Sequence, residues 1–449
     1  MISMLWNKSF VIQYLKYYPI IFRILKKSKS LMKILITFCV FLIVFTSGGF
    51  IQNLSVDAFA QNPQEHKLQS PSNQSDVNDL SKKILDKYKP RVLEHLFSNK
   101  TFASNISNSS IPASIVVGVV SPNGTTVSAY GNISKDNPTP VDGNTVFDIA
   151  SISKTFVATV LADLVNQGVV KLSDPLDMYL PSNVTVPSYN GHKITLGDLA
   201  THSSGLPYQP PGWIKSKNYT TQQVYEFLSN STLEDEPATV AKYSNLGMGM
   251  VGHALSLKTG VSLDELIKKK ILNVLGMNST GIAMNATGIS ISENIKPIFA
   301  VGHIAGNESK LMFLPEAVQG AGAIYSTVND LLKYVSANLG LIDTKINAAM
   351  EETHSIRYPF YELQVPFKDP LGNESTPYAY IGLSWFSTTD LGTQVVWHNG
   401  GIDGYSSFVG FNPSKQIGLV ILCSCHFSDV PPIEMLKIAI PFLLYYPDY

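Results

Sequence analysis

Ser151 and Lys154 lie three residues apart at the start of an apolar run formed by Phe156, Val157, Val160, Leu161, Leu164 and Val165. The run covers 155–165 and stops before Gly168, which predicts a buried helix closed by a glycine C-cap. Ser151 then sits at the helix N-terminus, with Lys154 one turn on along the same face. A serine hydroxyl is a weak nucleophile until a neighbour takes its proton. A lysine can be that neighbour when burial lowers its pKa. The free N–H groups and positive dipole end of a helix start also suit a developing oxyanion. Taken alone, the pair proves little, because Ser-x-x-Lys is a common spacing and serine is an ordinary N-cap residue.

Other stretches could complete such a site. Tyr243 and Asn245 are two apart on a turn that follows the acidic loop Glu234-Asp235-Glu236 and precedes an apolar helix near Met248. A tyrosinate held by Lys154 could take the Ser151 proton, and the Asn245 amide could hold a substrate carbonyl. The plainer reading is a half-buried tyrosine beside an N-capping asparagine. His398 is followed by Gly400 and Gly401 at the end of an expected strand. Paired glycines there allow close approach to a substrate or to another backbone, and an exposed N–H can donate to an oxyanion. A glycine-rich hairpin with a surface histidine fits the same residues. His202, in Thr201-His202-Ser203-Ser204-Gly205, reads as a second base or, more simply, as a satisfied loop histidine, and His303 reads the same way.

Metal and cofactor chemistry finds no support in the sequence. No His-x-His or His-Glu-x-x-His occurs. Cys423 and Cys425 alternate along an expected strand, where they would face one way as small apolar packing groups. Read as ligands with His426 they lack a second pair. No disulfide framework is legible from Cys39, Cys423 and Cys425. A Gly-x-Ser-x-Gly elbow is absent, which disfavours an α/β-hydrolase, and no glycine-rich phosphate loop precedes a helix.

The elements that would position these residues form an α+β pattern. The chain has 449 residues, 45% hydrophobic and 15% charged, with a net charge of -1. That length can bury one large core or two linked ones. The charge is low and balanced, so nucleic acid is not an expected partner. A helix is predicted over 77–97, then a hairpin of 114–120 and 125–131 joined by Ser121-Pro122-Asn123-Gly124. The middle, about 155–340, reads as mostly helical with long loops. Strands return at 382–387, 393–398, 406–411 and 418–422, and a last helix covers 432–445. Strands from both chain ends with helices between them predict one antiparallel sheet closed by the termini, flanked by terminal helices, with a helical subdomain beside it.

The first 60 residues read as targeting sequence. Arg23, Lys26, Lys27, Lys29 and Lys33 precede an apolar segment at 34–45, and Ala58-Phe59-Ala60 offers small residues at cleavage-site spacing. Met32 resembles a signal-peptide start. An uncleaved membrane anchor reaching about Leu54 fits as well, being near the ~20 residues a span needs. Either way the body, 77–449, is expected outside the cytoplasm, after a polar linker at 61–76. Asn-x-Ser/Thr sequons recur from Asn99 to Asn373 and favour a glycosylating host, archaeal or eukaryotic.

Together these residues resemble the penicillin-recognising serine hydrolases, in particular the class C β-lactamase-like branch with its D-alanyl-D-alanine carboxypeptidases, D-aminopeptidases and esterases. The likeness covers about residues 80–445. It rests on ordered segments at 147–154, 172–181, 194–206, 243–245, 275–277, 320–331, 382–385 and 398–407. The resemblance implies a β-lactamase/transpeptidase-like fold, no cofactor and no metal. It implies Ser151 as nucleophile, Lys154 and Tyr243 as the proton-transfer pair, and Asn245 as the group that orients the substrate amide. It further implies His398, Gly400 and Gly401 on the third-motif strand, with the N–H groups of Ser151 and Gly401 as oxyanion hole. Such a donor is worth roughly 3–4 kcal/mol. Two departures stand out. His398 replaces the lysine usual in true class C β-lactamases, and Asn399 replaces the commoner threonine. The expectation is therefore an exported hydrolase of a small-molecule, peptide or ester substrate, a peptidase or esterase rather than a true β-lactamase. The alternative is an inactive member serving as a surface-anchored binding or scaffold protein.

Overall fold

The computed structural model describes residues 114–213, 219–285, 288–369, 372–390, 392–426 and 432–445. The expected targeting segment, the linker and the expected 77–97 helix lie outside them. No helix of the described residues is long and apolar enough to cross a membrane.

Strands β1 (Ile115–Ser121) and β2 (Gly124–Tyr130) form the expected hairpin, with Ser121 opposite Gly124. The chain then enters a short strand, β3 (Val146–Asp148), a 3-10 turn (Ala150–Ile152) and helix α1 (Ser153–Asn166). Gly168 has the left-handed φ of 70° that a helix stop requires. Helices α2 (Leu196–Ala200), α3 (Thr221–Asn230) and α4 (Asn245–Thr259) follow. Next come β4 (Gly281–Ile282), β5 (Ile324–Thr327), α5 (Val328–Asn338) and α6 (Asn347–His354). The C-terminal part supplies β6 (Tyr358–Gln364), β7 (Tyr378–Ile381), β8 (Phe386–Asp390), β9 (Thr393–Ile402), β10 (Tyr405–Asn412) and β11 (Ile417–Cys423). Helix α7 (Pro432–Tyr445) closes the described chain at the expected bounds.

The main sheet is antiparallel, in the order β6-β7-β8-β9-β10-β11-β1-β2. The first and last strands of the described residues meet at its seam, where Ile115 lies opposite Cys423. Alternation along β1 divides the core. Val116 and Val120 join the larger apolar cluster with α1, α4 and α5. Ile115 and Val119 face a second cluster built on Met435, Leu436, Ile440, Phe442 and Leu443 of α7. Helices thus cover both faces, which explains why β10 and β11 are buried along their whole length. Close packing on the first face depends on Gly418, where an added Cβ would fall 2.2 Å from Val335 Cγ1 of α5.

The structure revises several expectations. The helical middle also contains a three-stranded sheet, β3-β5-β4, made of strands too short to show a period. The strand expected at 382–387 begins only at Phe386. Gly382 N–H donates to Trp385 O at 2.8 Å and Ser384 takes a left-handed φ of 62°, so this stretch is the turn between β7 and β8. The two cysteines are not separate packing groups. They form a disulfide across Ser424 with Cα atoms 5.2 Å apart, because β11 ends at Cys423 and the chain bends there.

Candidate active site

The nucleophile turn is built from short-range bonds. Ile149 N–H extends the β3–β5 ladder by donating to Ile324 O at 3.0 Å. The buried Asp148 carboxylate accepts from Ala150 N–H at 2.8 Å across a left-handed Ala150 with φ 48°. A left-handed alanine is strained, so its neighbours must hold it in place. Ser407 Oγ of β10 does so by donating to Ile149 O at 2.8 Å. Ser151 emerges from this turn half-buried, in the 3-10 turn just ahead of α1 rather than in its first α-turn.

Helix α1 is buried on almost all sides, so Lys154 has nowhere to reach water and is 0% exposed. Its Nζ stands 3.0 Å from Ser151 Oγ and donates to Ala321 O at 2.6 Å. Burial pushes its pKa well below the usual lysine range. No carboxylate pairs with it among the described residues. A neutral amine keeps a proton for Ala321 and points a lone pair at the serine hydroxyl. A lysine in that state can deprotonate Ser151.

Tyr243 arrives from the other side. Its hydroxyl is within hydrogen-bonding reach of Ser151, its ring centre lies 4.9 Å from Lys154 Nζ, and it stacks beside Phe386 at 6.4 Å. Burial raises the pKa of its hydroxyl above the ordinary tyrosine value. Burial therefore favours the neutral phenol over the expected tyrosinate. Asn245 opens α4. Its N–H donates to Tyr208 O at 2.8 Å, and its Nδ2 donates to Gln209 Oε1 at 2.9 Å. The helix cap is Ser244, whose Oγ accepts from Gly247 N–H at 3.0 Å.

Strand β9 supplies the third wall. β8 pairs with it only as far as Trp397, so from His398 onward β9 has one paired edge, toward β10. The stretch around Gly400 packs against the nucleophile turn, where an added Cβ would lie 2.4 Å from Ile149 O and 3.0 Å from Ala150 Cβ. Gly401, its neighbour, is the expected second oxyanion donor. His398 is buried, not a surface residue. Its Nδ1–H donates to Asn399 O at 2.6 Å, which leaves Nε2 as a buried acceptor with no partner. Burial, and then the nearby Lys154, push its pKa down to about 3, so it stands neutral.

Sequence reasoning undervalued His202, which is buried and lies against Tyr243 with ring centres 4.5 Å apart. The Thr-His-Ser-Ser-Gly motif was the available signal. His303 is a buried histidine in a short strand, its N–H bonded to Ser424 O at 3.0 Å and its Nδ1 3.2 Å from the same carbonyl. Among the described residues no cluster of histidine, cysteine or acidic groups could hold a metal.

Comparison with known proteins identifies the family and the fold. A D-alanyl-D-alanine-carboxypeptidase/endopeptidase, AmpH of Escherichia coli K12, is 26% identical over 72% of this chain and 82% of its own length. A β-lactamase of Pseudomonas fluorescens is 27% identical over 68% of this chain and 86% of its own length. Among solved structures, the β-lactamase/D-alanine carboxypeptidase of Yersinia pestis shares the fold with a TM-score of 0.62. It is 24% identical and covers 82% of this chain and 99% of its own. The corresponding protein of Pseudomonas syringae gives 0.62 at 21% identity, over 79% and 99%. The family model described as Beta-lactamase matches residues 108–437, and the chain belongs to that family, a hydrolase of the group that unites β-lactamases with D-alanine carboxypeptidases.

Proposed function

We propose that the protein is an exported serine hydrolase that cleaves an amide or ester through an acyl-enzyme on Ser151. One observation carries the reading: a buried lysine without an anionic partner stands 3.0 Å from the hydroxyl of Ser151. Ser151 Oγ attacks the substrate carbonyl as its proton passes to neutral Lys154. The carbonyl oxygen becomes an oxyanion facing the N–H groups of Ser151 and Gly401. Collapse expels the amine or alcohol, which takes a proton through the Tyr243 hydroxyl. Water then attacks the acyl ester, and the same two groups return the proton to Ser151. Asn245 orients the substrate amide.

A peptidase or esterase is favoured over a true β-lactamase. The support is His398: neutral and hydrogen-bonded through Nδ1, it gives the third wall an acceptor where a cation would hold a substrate carboxylate. Export is supported by the basic flank and apolar run at 23–45 and by the Cys423–Cys425 disulfide, a bond at home in oxidising compartments. The test is turnover of p-nitrophenyl acetate, nitrocefin and a panel of D- and L-amino-acid amides by wild type and Ser151→Ala. An ester or amide should be the best substrate, and Ser151→Ala should lose at least about 10³-fold. A folded wild type that turns over nothing and takes no fluorophosphonate label would instead favour a scaffold role.

A further inference from the structure

His202 has no part in the mechanism above, yet it holds the segment carrying Tyr243 at three points. Its backbone carbonyl accepts from Lys242 N–H at 2.8 Å. Its Nδ1 accepts from Ser244 N–H at 3.2 Å. Its ring covers Tyr243, with centroids 4.5 Å apart and planes 33° apart. The residues before and after the tyrosine are thus both tied to one histidine, whose ring lies on the residue between them.

His202 is itself rigidly mounted. It is 1% exposed, takes a left-handed φ of 58°, and donates its N–H to Leu199 O at the end of α2. The next residue is tied on both sides as well, Ser203 N–H donating to Asp198 O and Ala238 N–H donating to Ser203 O. The bond from Ser244 also fixes the tautomer: with Nδ1 accepting, the neutral ring carries its hydrogen on Nε2. That Nε2–H is buried without a partner. Burial, reinforced by Lys154 and His398 nearby, keeps the ring neutral. An apolar residue could fill the same space without leaving a donor unsatisfied, but it could not accept from Ser244.

We propose that His202 is a positioning residue for Tyr243, fixing the backbone on both sides of the tyrosine and its ring face so that the phenol meets Ser151. The proposal rests on the hydrolase reading of Ser151 and Tyr243. A small misplacement of a reacting group can cost about 10²-fold in rate, so this clamp is read in kcat.

The test uses the full chain with His202→Ala, His202→Asn, Tyr243→Phe and the two double variants. Asparagine tolerates a left-handed φ and puts an acceptor near the place of Nδ1, but lacks the ring. Rates on a p-nitrophenyl ester are normalised to sites titrated by fluorophosphonate. We expect His202→Ala to lower kcat about 30- to 100-fold with KM within about threefold, and His202→Asn to recover part of the loss. In the Tyr243→Phe background both substitutions should cost less than about threefold, because what they position is already gone. Per-site kcat within threefold of wild type for His202→Ala, or equal losses in both backgrounds, would overturn the proposal. Should His202→Ala fail to fold, the same cycle with His202→Asn decides. Hydrogen exchange at the Ser244 amide reads the clamp without turnover. It should quicken about tenfold or more in His202→Ala and stay slow in His202→Asn, and unchanged exchange in a folded His202→Ala would count against the clamp. A failure of the clamp and a failure of the hydrolase reading are thereby told apart.

Discussion

The nucleophile turn and the tyrosine segment meet at Ser151, but they are held in different ways. The turn has one local bond and two from far along the chain: Asp148 accepts from Ala150 N–H two residues on, while Ile149 N–H donates to Ile324 O and Ser407 Oγ, 258 residues away, donates to Ile149 O. The tyrosine segment leans on chain about forty residues earlier. Lys242 and Ser244 bond to His202, Asn245 to Tyr208, and the Ser244 hydroxyl donates to Pro207 O at 2.8 Å. One wall is thus strained at Ala150 and held by strands from much later in the chain, while the other is docked on a loop nearer in sequence. The proposed nucleophile and relay can therefore be perturbed separately. Changes in the 202–209 loop reach the phenol and leave the Ser151–Lys154 pair in place.

The sharpest way to probe that difference is Tyr243→Phe. In the proposed mechanism the phenol relays a proton and the Ser151–Lys154 contact does not depend on it, so turnover should fall 10²–10⁴-fold. Fluorophosphonate should still label Ser151, more slowly. An unchanged rate would remove Tyr243 from the mechanism and leave Lys154 to act alone. Gly400→Ala attacks the strained wall. Its Cβ would press on Ile149 O at 2.4 Å and push β9 away from the turn. A loss of about 10- to 100-fold in kcat/KM is expected, with stability lowered by about 1–3 kcal/mol. Full activity would mean that the close approach of strand and turn is dispensable.

Acid should separate the walls more gently, through their opposite signs. His398 and His354 titrate near 3 in the folded protein and His253 near 4, all lowered by burial from an unfolded value of about 6.5. Their stabilising contribution is complete above about pH 6.5 and is lost as pH falls toward the folded values. Asp148 is raised to about 7 by burial, so it holds a proton in the fold that the unfolded chain lacks, and it adds stability as pH falls from 7 toward 4. With His202 also lowered by burial, four histidines against one carboxyl leave a net loss of stability as pH falls below about 6.5. Urea midpoints at pH 7 and pH 5 measure it, and Asp148→Asn should steepen the fall. A midpoint that rises on acidification would show that the histidines are not held neutral.

How much of this was legible depended on distance along the chain. Ser151 and Lys154 could be paired because three residues place two side chains on one helical face, and the apolar run behind them announced the burial that lowers the lysine pKa. The hairpin and α7 were equally plain, being long and regular. Strand β6 was missed because Pro359 and its exposed tyrosines weaken the pattern, as suits a sheet edge. β3, β4 and β5 were too short to show a period. The role of His202 was hidden because nothing between residues 202 and 243 reveals that they touch. The disulfide was hidden because two cysteines at alternate strand positions normally lie too far apart to join, and only the end of β11 brings them together.

The seam of the sheet has a kinetic meaning. Ser114 N–H donates to the hydroxyl of Ser424 at 2.8 Å, a contact between residues 310 positions apart, and β1 lies between β2 and β11. Until the last strand has been made, β1 has only β2 beside it, and one edge of the central sheet stands open. Closing so distant a pair is slow, since the loop entropy is lost before the contacts reward it. During synthesis the local contact of Asp148 with Ala150 can form early, yet Ala321, Ile324, Gly400, Ser407 and the β11 seam that complete its surroundings come from much later in the chain. A chain lacking these strands would therefore carry Ser151 and Lys154 without their enclosing walls, and the proposed hydrolysis is expected only once β1 and β11 have paired.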